Sequence, residues 1–172
     1  TNNLTLTATG TPVTNTFSPY RAGGYSTYFD GIGDYLSTTN TNIGNFGTAN
    51  FTIEFWLYSQ GSLAAFGMPI SAYNADNTAY HWSIQLDRDG VGNIYWYNQI
   101  NLSINSSIKL VNNQWTHLAV VRNGGTTTMY VNGLSGGSFS DSTNYVTPSG
   151  LVIGSDLANP QNWEFNGYLS NL

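Results

Sequence analysis

At 172 residues, with a formal net charge of −5 and only 8 % charged side chains, the chain has the length of one domain and can bury a sizeable core. Its four basic residues, Arg21, Arg88, Lys109 and Arg122, are scattered, which argues against nucleic acid and against an anionic membrane surface. Aromatics reach 15 % and cysteine is absent, so the chain is built to fold without disulfides or thiolate metal sites.

The elements follow in chain order. Residues 1–22 are rich in Thr and Asn, contain Pro12 and Pro19, and read as a lead-in arm with one short strand around Leu4–Ala8. Residues 23–172 read as one domain. Within it, Tyr28–Leu36 and Phe51–Tyr58 are two strands joined by a Gly/Asn/Thr-rich connector. In the second, Phe51, Ile53, Phe55 and Leu57 share one face, and Thr52, Glu54, Trp56 and Tyr58 the other. Tyr80–Asp87 sets Trp82, Ile84 and Leu86 against His81, Ser83, Gln85 and Asp87. The turn Asp87-Arg88-Asp89-Gly90 leads to Asn93–Asn98, where Ile94 and Trp96 oppose Tyr95 and Tyr97. Trp115–Arg122, Thr127–Val131, Leu151–Gly154 and Phe165–Leu169 complete the strands, with hairpins at Asn123-Gly124-Gly125 and at Asn132-Gly133. Ser37–Asn50 and Ser135–Ser149 read as loops. No segment carries helical apolar spacing, and no apolar run is long enough for a transmembrane helix. The fold class is all-β: a two-sheet antiparallel sandwich of about a dozen strands, with Phe55, Leu57, Ile84, Leu86, Val120 and Val131 in its core.

Four segments occur in an order that resembles a known family. They are Tyr28–Leu36, Phe51–Tyr58, Trp115-Thr116-His117-Leu118-Ala119-Val120-Val121-Arg122 running into Met129-Tyr130-Val131-Asn132-Gly133, and Phe165-Asn166-Gly167-Tyr168-Leu169-Ser170. From about Tyr25 onward the chain resembles laminin-G-like (concanavalin-A-like lectin/glucanase) jelly rolls. Thr16-Phe17-Ser18-Pro19-Tyr20 leading into Tyr25–Gly31 is similar to such modules in phage and marine bacterial surface proteins. That resemblance implies a jelly roll displayed on a virion, as a tail fibre or decoration, or on a cell surface, in contact with host glycans. The chain starts without Met and stops inside what reads as a last strand, so it is expected to be part of a longer polypeptide.

Chemistry is sparse. A glycosidase needs two carboxyl groups flanking one cleft, at roughly 5 or 6.5–9.5 Å, and the only glutamates, Glu54 and Glu164, are far apart in sequence. His81 and His117 have no nucleophile partner pattern. These features predict a non-enzyme, with Glu54 and His117 as structural hydrogen-bonding groups. Asp30 and Asp34 bracket a Gly-Ile-Gly turn and could converge on one Ca2+; Asp87 and Asp89 are a weaker pair. Turn capping by Asp before Gly is the plainer reading of both.

Sugars stack on aromatic rings and hydrogen-bond to amides and hydroxyls. Trp56 and Tyr58 with Glu54 beside them, the pair Tyr95 and Tyr97, and Trp163 in a polar rim loop are the candidate contacts; filling of the sandwich is the competing use of such rings. The expected function is a non-catalytic carbohydrate-binding or adhesion module, as a homo-oligomer or within a virion or surface assembly. The alternative is a purely structural display or assembly domain without a sugar ligand. The Asn-x-Ser/Thr sites at Asn3, Asn50, Asn101 and Asn105 read as consequences of composition.

Overall fold

The computed structural model describes residues 4–20, 23–61, 66–73, 80–86, 91–98, 101–146, 149–156 and 163–172. Among these residues there is no helix, and fourteen strands form: β1 (Thr7–Thr9), β2 (Val13–Asn15), β3 (Ser26–Asp30), β4 (Tyr35–Thr38), β5 (Phe51–Ser59), β6 (Gly67–Tyr73), β7 (Tyr80–Leu86), β8 (Ile94–Asn98), β9 (Asn101–Asn105), β10 (Trp115–Asn123), β11 (Thr126–Val131), β12 (Leu134–Ser140), β13 (Gly150–Ile153) and β14 (Asn166–Ser170). They make two seven-stranded antiparallel sheets. The first has the order β1-β4-β13-β6-β7-β8-β9 and the second β12-β11-β10-β5-β14-β3-β2.

The alternation along β5 decides which way the second sheet faces. Phe51, Ile53, Phe55 and Leu57 are buried, whereas Thr52 and Glu54 are exposed and Trp56 and Tyr58 half-buried. β7 and β8 answer from the first sheet with Trp82, Ile84, Leu86, Ile94 and Trp96. Between the sheets, Trp82 stacks on Trp96 at 5.6 Å and Phe46 on Phe51 at 4.3 Å, with Tyr145 packed edge-on to Phe51. All six residues expected in the core are buried.

Several boundaries differ from the sequence reading. Tyr28–Leu36 is two strands in different sheets, broken where Gly31 (φ 77°) and Gly33 (φ 81°) take left-handed conformations that swing the chain across the sandwich. The region expected as the loop Ser135–Ser149 begins with β12, which follows β11 through a turn with Asn132 at φ 51° and Gly133 at φ 78°. β6 was hidden by Gly67 and Pro69, which sit where its register to β7 shifts, a bulge that tolerates a missing amide donor. β9 is a short polar strand at a sheet edge. The arm supplies an edge strand to each sheet, β1 and β2, rather than one strand around Leu4–Ala8.

One ionic network is buried in this nearly uncharged molecule. Arg122 Nη1 donates to Thr143 O and Nη2 to Asp141 O, both at 2.8 Å, and the guanidinium lies over the Tyr145 ring. The Asp141 carboxylate accepts from Thr127 Oγ1 (2.6 Å), Tyr145 OH (2.8 Å) and Thr143 N (3.0 Å). Burial pushes this carboxyl up, but the hydrogen bonds from Thr127, Thr143 and Tyr145 outweigh it and hold its pKa below the ordinary value. Burial and the Asp141 charge push the Tyr145 phenol well up.

Truncation of Phe55, fully enclosed at the centre of β5, should cost about 3–5 kcal/mol in urea unfolding. A depressed folded-state pKa gives stability that is present above the unfolded pKa and lost as pH falls through the folded value. Asp141→Asn should therefore lower stability at neutral pH and flatten the acid limb of the stability–pH curve, measured by urea titration at a series of pH values.

Candidate functional site

The expected contact residues fall on two opposite outer surfaces. Trp56, Tyr58 and Glu54 project from the second sheet; Tyr95 and Tyr97 project from the first, with Trp163 beside it.

On the second sheet, strand register lines up Trp115, Tyr58, Tyr168 and Tyr28 across β10, β5, β14 and β3. Neighbouring centroids in this row are 5.6, 5.9 and 4.8 Å apart. The row is not left to solvent. Phe17 of the arm packs on it, 4.8 Å from Tyr58, 4.9 Å from Tyr168 and 5.3 Å from Trp115, and its carbonyl accepts from Ser26 Oγ. Tyr20 meets Trp56 edge-on at 6.4 Å, and its hydroxyl accepts from Asn171 Nδ2. Trp56 also rests against His117 at 5.1 Å, and His117 Nε2 lies 3.7 Å from Glu54 Oε2. The Phe17-Ser18-Pro19-Tyr20 motif is thus an internal partner of the Trp56/Tyr58 platform, a use that periodicity within one strand could not reveal.

The first sheet presents a different surface. The outward positions of β7 and β8 bring together Ser83 with Tyr97 and Gln85 with Tyr95 as directly opposed pairs. The two tyrosine rings are 6.3 Å apart and inclined at 60°. Tyr97 is half-buried and Tyr95 more deeply set, while Ser83 and Gln85 are buried although they point away from the core. Gln85 Nε2 donates to Ser83 Oγ at 3.2 Å. On the next strand Ser71, opposite Ser83, donates to Ser155 O, and Asp156 follows, also buried. Trp163 joins the same end of the sheet, since its carbonyl accepts from Met68 N and its ring packs 5.1 Å from Phe66. Tyrosines beside a buried hydroxyl and amide pair form an environment suited to a neutral polyhydroxylated ligand. Ser71, Ser83, Gln85 and Asp156 were missed as candidates. The signal for Ser83 and Gln85 was their alternation with Trp82, Ile84 and Leu86.

The Asp30/Asp34 turn is held by hydrogen bonds. Asp34 is buried; its Oδ1 accepts from Thr11 N at 2.6 Å and its Oδ2 from Asp30 N, while Asp30 Oδ1 accepts from Ile32 N at 2.7 Å. Glu164 Oε1 accepts from Gly33 N across the same turn. Burial pushes the Glu164 carboxyl up, the Gly33 amide opposes this, and the Asp30 and Asp34 charges add to the rise. Among the described residues no group of three or more His, Cys, Asp or Glu side chains is arranged to hold a metal ion. Asp87 and Asp89 lie outside the described residues, as do Ala158–Asn162 of the rim loop.

The sequence profile of one family, Laminin_G_3, described as the concanavalin A-like lectin/glucanases superfamily, matches residues 29–172. No curated protein matches the sequence. Among solved structures, domain 4 of AbnA, a GH43 extracellular arabinanase from Geobacillus stearothermophilus in complex with arabinotriose, is similar with a TM-score of 0.64 at 17 % identity, over 98 % of this chain and 81 % of that one. The carbohydrate binding module CBM66 from Bacillus subtilis gives 0.57 at 14 % identity, over 98 % and 94 %. A Trypanosoma rangeli sialidase gives 0.65 at 13 % identity, over 85 % of this chain but only 24 % of the sialidase. At these identities the likeness is one of fold.

The hydrogen bonds at the glycine turn set an expectation for calcium. Asp34→Ala should cost about 1–3 kcal/mol, because the Thr11 and Asp30 amides lose their acceptor, and millimolar calcium should leave the wild-type Tm unchanged. A calcium-dependent rise in Tm that Asp34→Ala abolishes would instead place a cation at this pair.

Proposed function

The chain belongs to the concanavalin A-like lectin/glucanases superfamily, and from that premise we propose that it is a non-catalytic carbohydrate-binding module. The observation that carries this reading is the outer surface of the first sheet, where Tyr95 and Tyr97 flank the buried polar pair Ser83 and Gln85. A pyranose or furanose ring offers one apolar face to an aromatic ring and a rim of hydroxyls to amides, and it requires no charge. Trp163, beside the start of β6 in the same sheet, is the second stacking candidate. The two glutamates support a non-catalytic role, since Glu54 faces His117 on one strand and Glu164 holds the Gly33 amide on another segment. Display on a virion or cell surface, against a host glycan, is the setting we propose. The carbohydrate-bound and carbohydrate-binding modules similar in fold support the ligand class.

A second reading has its own observation. The aromatic row on the second sheet is engaged by the arm, so two of the five candidate rings, Trp56 and Tyr58, serve packing, as in a display or assembly domain, alone or as an oligomer, without a sugar.

A glycan array followed by calorimetry separates the two. Tyr97→Ala should weaken glycan binding by on the order of 1–3 kcal/mol, by analogy with base–aromatic stacking, with Tm nearly unchanged because the ring is half-exposed. Trp56→Ala, on the opposite surface, should leave glycan affinity intact. Failure of the wild type to bind any glycan would favour the assembly reading, and loss of binding in Trp56→Ala alone would move the site to the second sheet.

A further inference from the structure

Strand register fixes a row of outward side chains across the first sheet. Tyr97 of β8 lies opposite Leu102 of β9 on one side and Ser83 of β7 on the other, and the row continues through Ser71 of β6 and Val152 of β13. The residues next to these along their strands, Trp96, Ile84, Ile70 and Ile153, belong to the core, so by the two-residue period the row lies on the outer surface. A bulge between Trp96 and Tyr97 brings Leu102 onto this surface, although Ile104, two residues on, faces the core.

Exposure falls steeply along the row. Leu102 is 48 % exposed and Tyr97 half-buried, but Ser83, Ser71 and Val152 are all at 0 %. The neighbouring row repeats the fall: Asn105 of β9 is exposed, Tyr95 of β8 is at 7 % and Gln85 of β7 at 2 %. Outward side chains on an open face of an antiparallel sheet stay in contact with water. The outer surface is therefore covered from β7 to β13 and open at β9 and around Tyr97. The open part is also bounded lengthwise. Tyr95 closes it along β8, and past Asn105 the strand β12 comes against β9, where Ser107 N donates to Gly136 O. What remains is about one strand spacing wide, roughly 4.8 Å, and opens over the edge of the sheet at β9.

We propose that this site recognises the end of a neutral glycan chain and not an internal stretch of it. The inference rests on the carbohydrate-binding reading and deepens it. The terminal ring stacks on Tyr97 with its hydroxyls toward Asn105. Ser83 and Gln85 mark the wall in front of it, and the following units leave over β9 past Leu102. An internal unit has a neighbour on both sides, and one of the two would run into the covered half of the sheet.

The probes are gluco-, xylo-, manno- and arabino-oligosaccharides of two to eight units, with the corresponding polymers, titrated by calorimetry. In a series that binds, affinity should level off by three units. Each polymer chain should take up one module, because the two ends of a glycan chain differ chemically. Tyr97→Ala should weaken all lengths alike, at least fivefold. Ser37→Ala, in the same row beyond Val152, should leave the longest oligosaccharide unaffected. Affinity that still rises at least tenfold from three to eight units, a number of modules that grows with polymer length, or a loss in Ser37→Ala would overturn end recognition; with the Tyr97 dependence kept, the carbohydrate-binding reading would stand. Binding of no series, or binding that Tyr97→Ala leaves unchanged, would remove the reading of this site and the inference with it.

Discussion

The strict two-sidedness of β5 is the constraint on which the rest of the molecule depends. Its inner side chains, Phe51, Ile53, Phe55 and Leu57, form the middle of the core, while of its outer ones Tyr58 sits in the aromatic row under Phe17 and Trp56 meets Tyr20 of the arm. A slip of one residue would exchange these sets, placing Glu54 in the core and Phe55 in solvent, which burial energetics forbid. Register is therefore held through β10 on one side and β14 on the other, and the position of the aromatic row follows from it.

Scarcity of charge shapes how polar groups are satisfied. With four basic residues in the chain, surface ion pairs contribute little, and the one well-buried cation among the described residues, Arg122, is spent on organising carbonyls and the Asp141 carboxylate where β10, β11 and the segment after β12 meet. Burying such a pair is costly unless its hydrogen-bonding capacity is used, and here Thr127, Thr143 and Tyr145 use it. Much of the remaining polarity is neutral: hydroxyls and amides along outward strand positions, with Ser71, Ser83 and Gln85 enclosed. That same neutrality suits recognition of an uncharged, hydroxyl-rich ligand better than of a phosphate or a polyanion.

Aromatic residues do three different jobs with one chemistry. Trp82 and Trp96 fill the inter-sheet space, Tyr58 and Tyr168 receive Phe17 on the outside of one sheet, and Tyr95 and Tyr97 frame a polar floor on the outside of the other. What separates these jobs is what lies opposite each ring, a partner sheet, an arm or a hydroxyl-lined surface, and none of these is a property of the ring's own strand.

The amino-acid pattern by itself determined the fold class, the faces of β5, β7 and β8, and the turns at Asn123–Gly125 and Asn132-Gly133. Period-two burial and positive-φ turns are local, so a single segment contains its own evidence. The strands it concealed, β6, β9 and β12, carry Gly, Pro or Ser where neighbouring strands supply the stability, and the break at Gly31–Gly33 reads as continuous strand because both halves keep β-forming residues. Only the tertiary structure decided that Trp56 and Tyr58 lie beneath Phe17 and Tyr20 and that Tyr95 and Tyr97 sit beside Ser83 and Gln85. Each of those outcomes is a meeting of segments far apart in the chain, and side-chain periodicity within one strand holds no information about which surface arrives to face it.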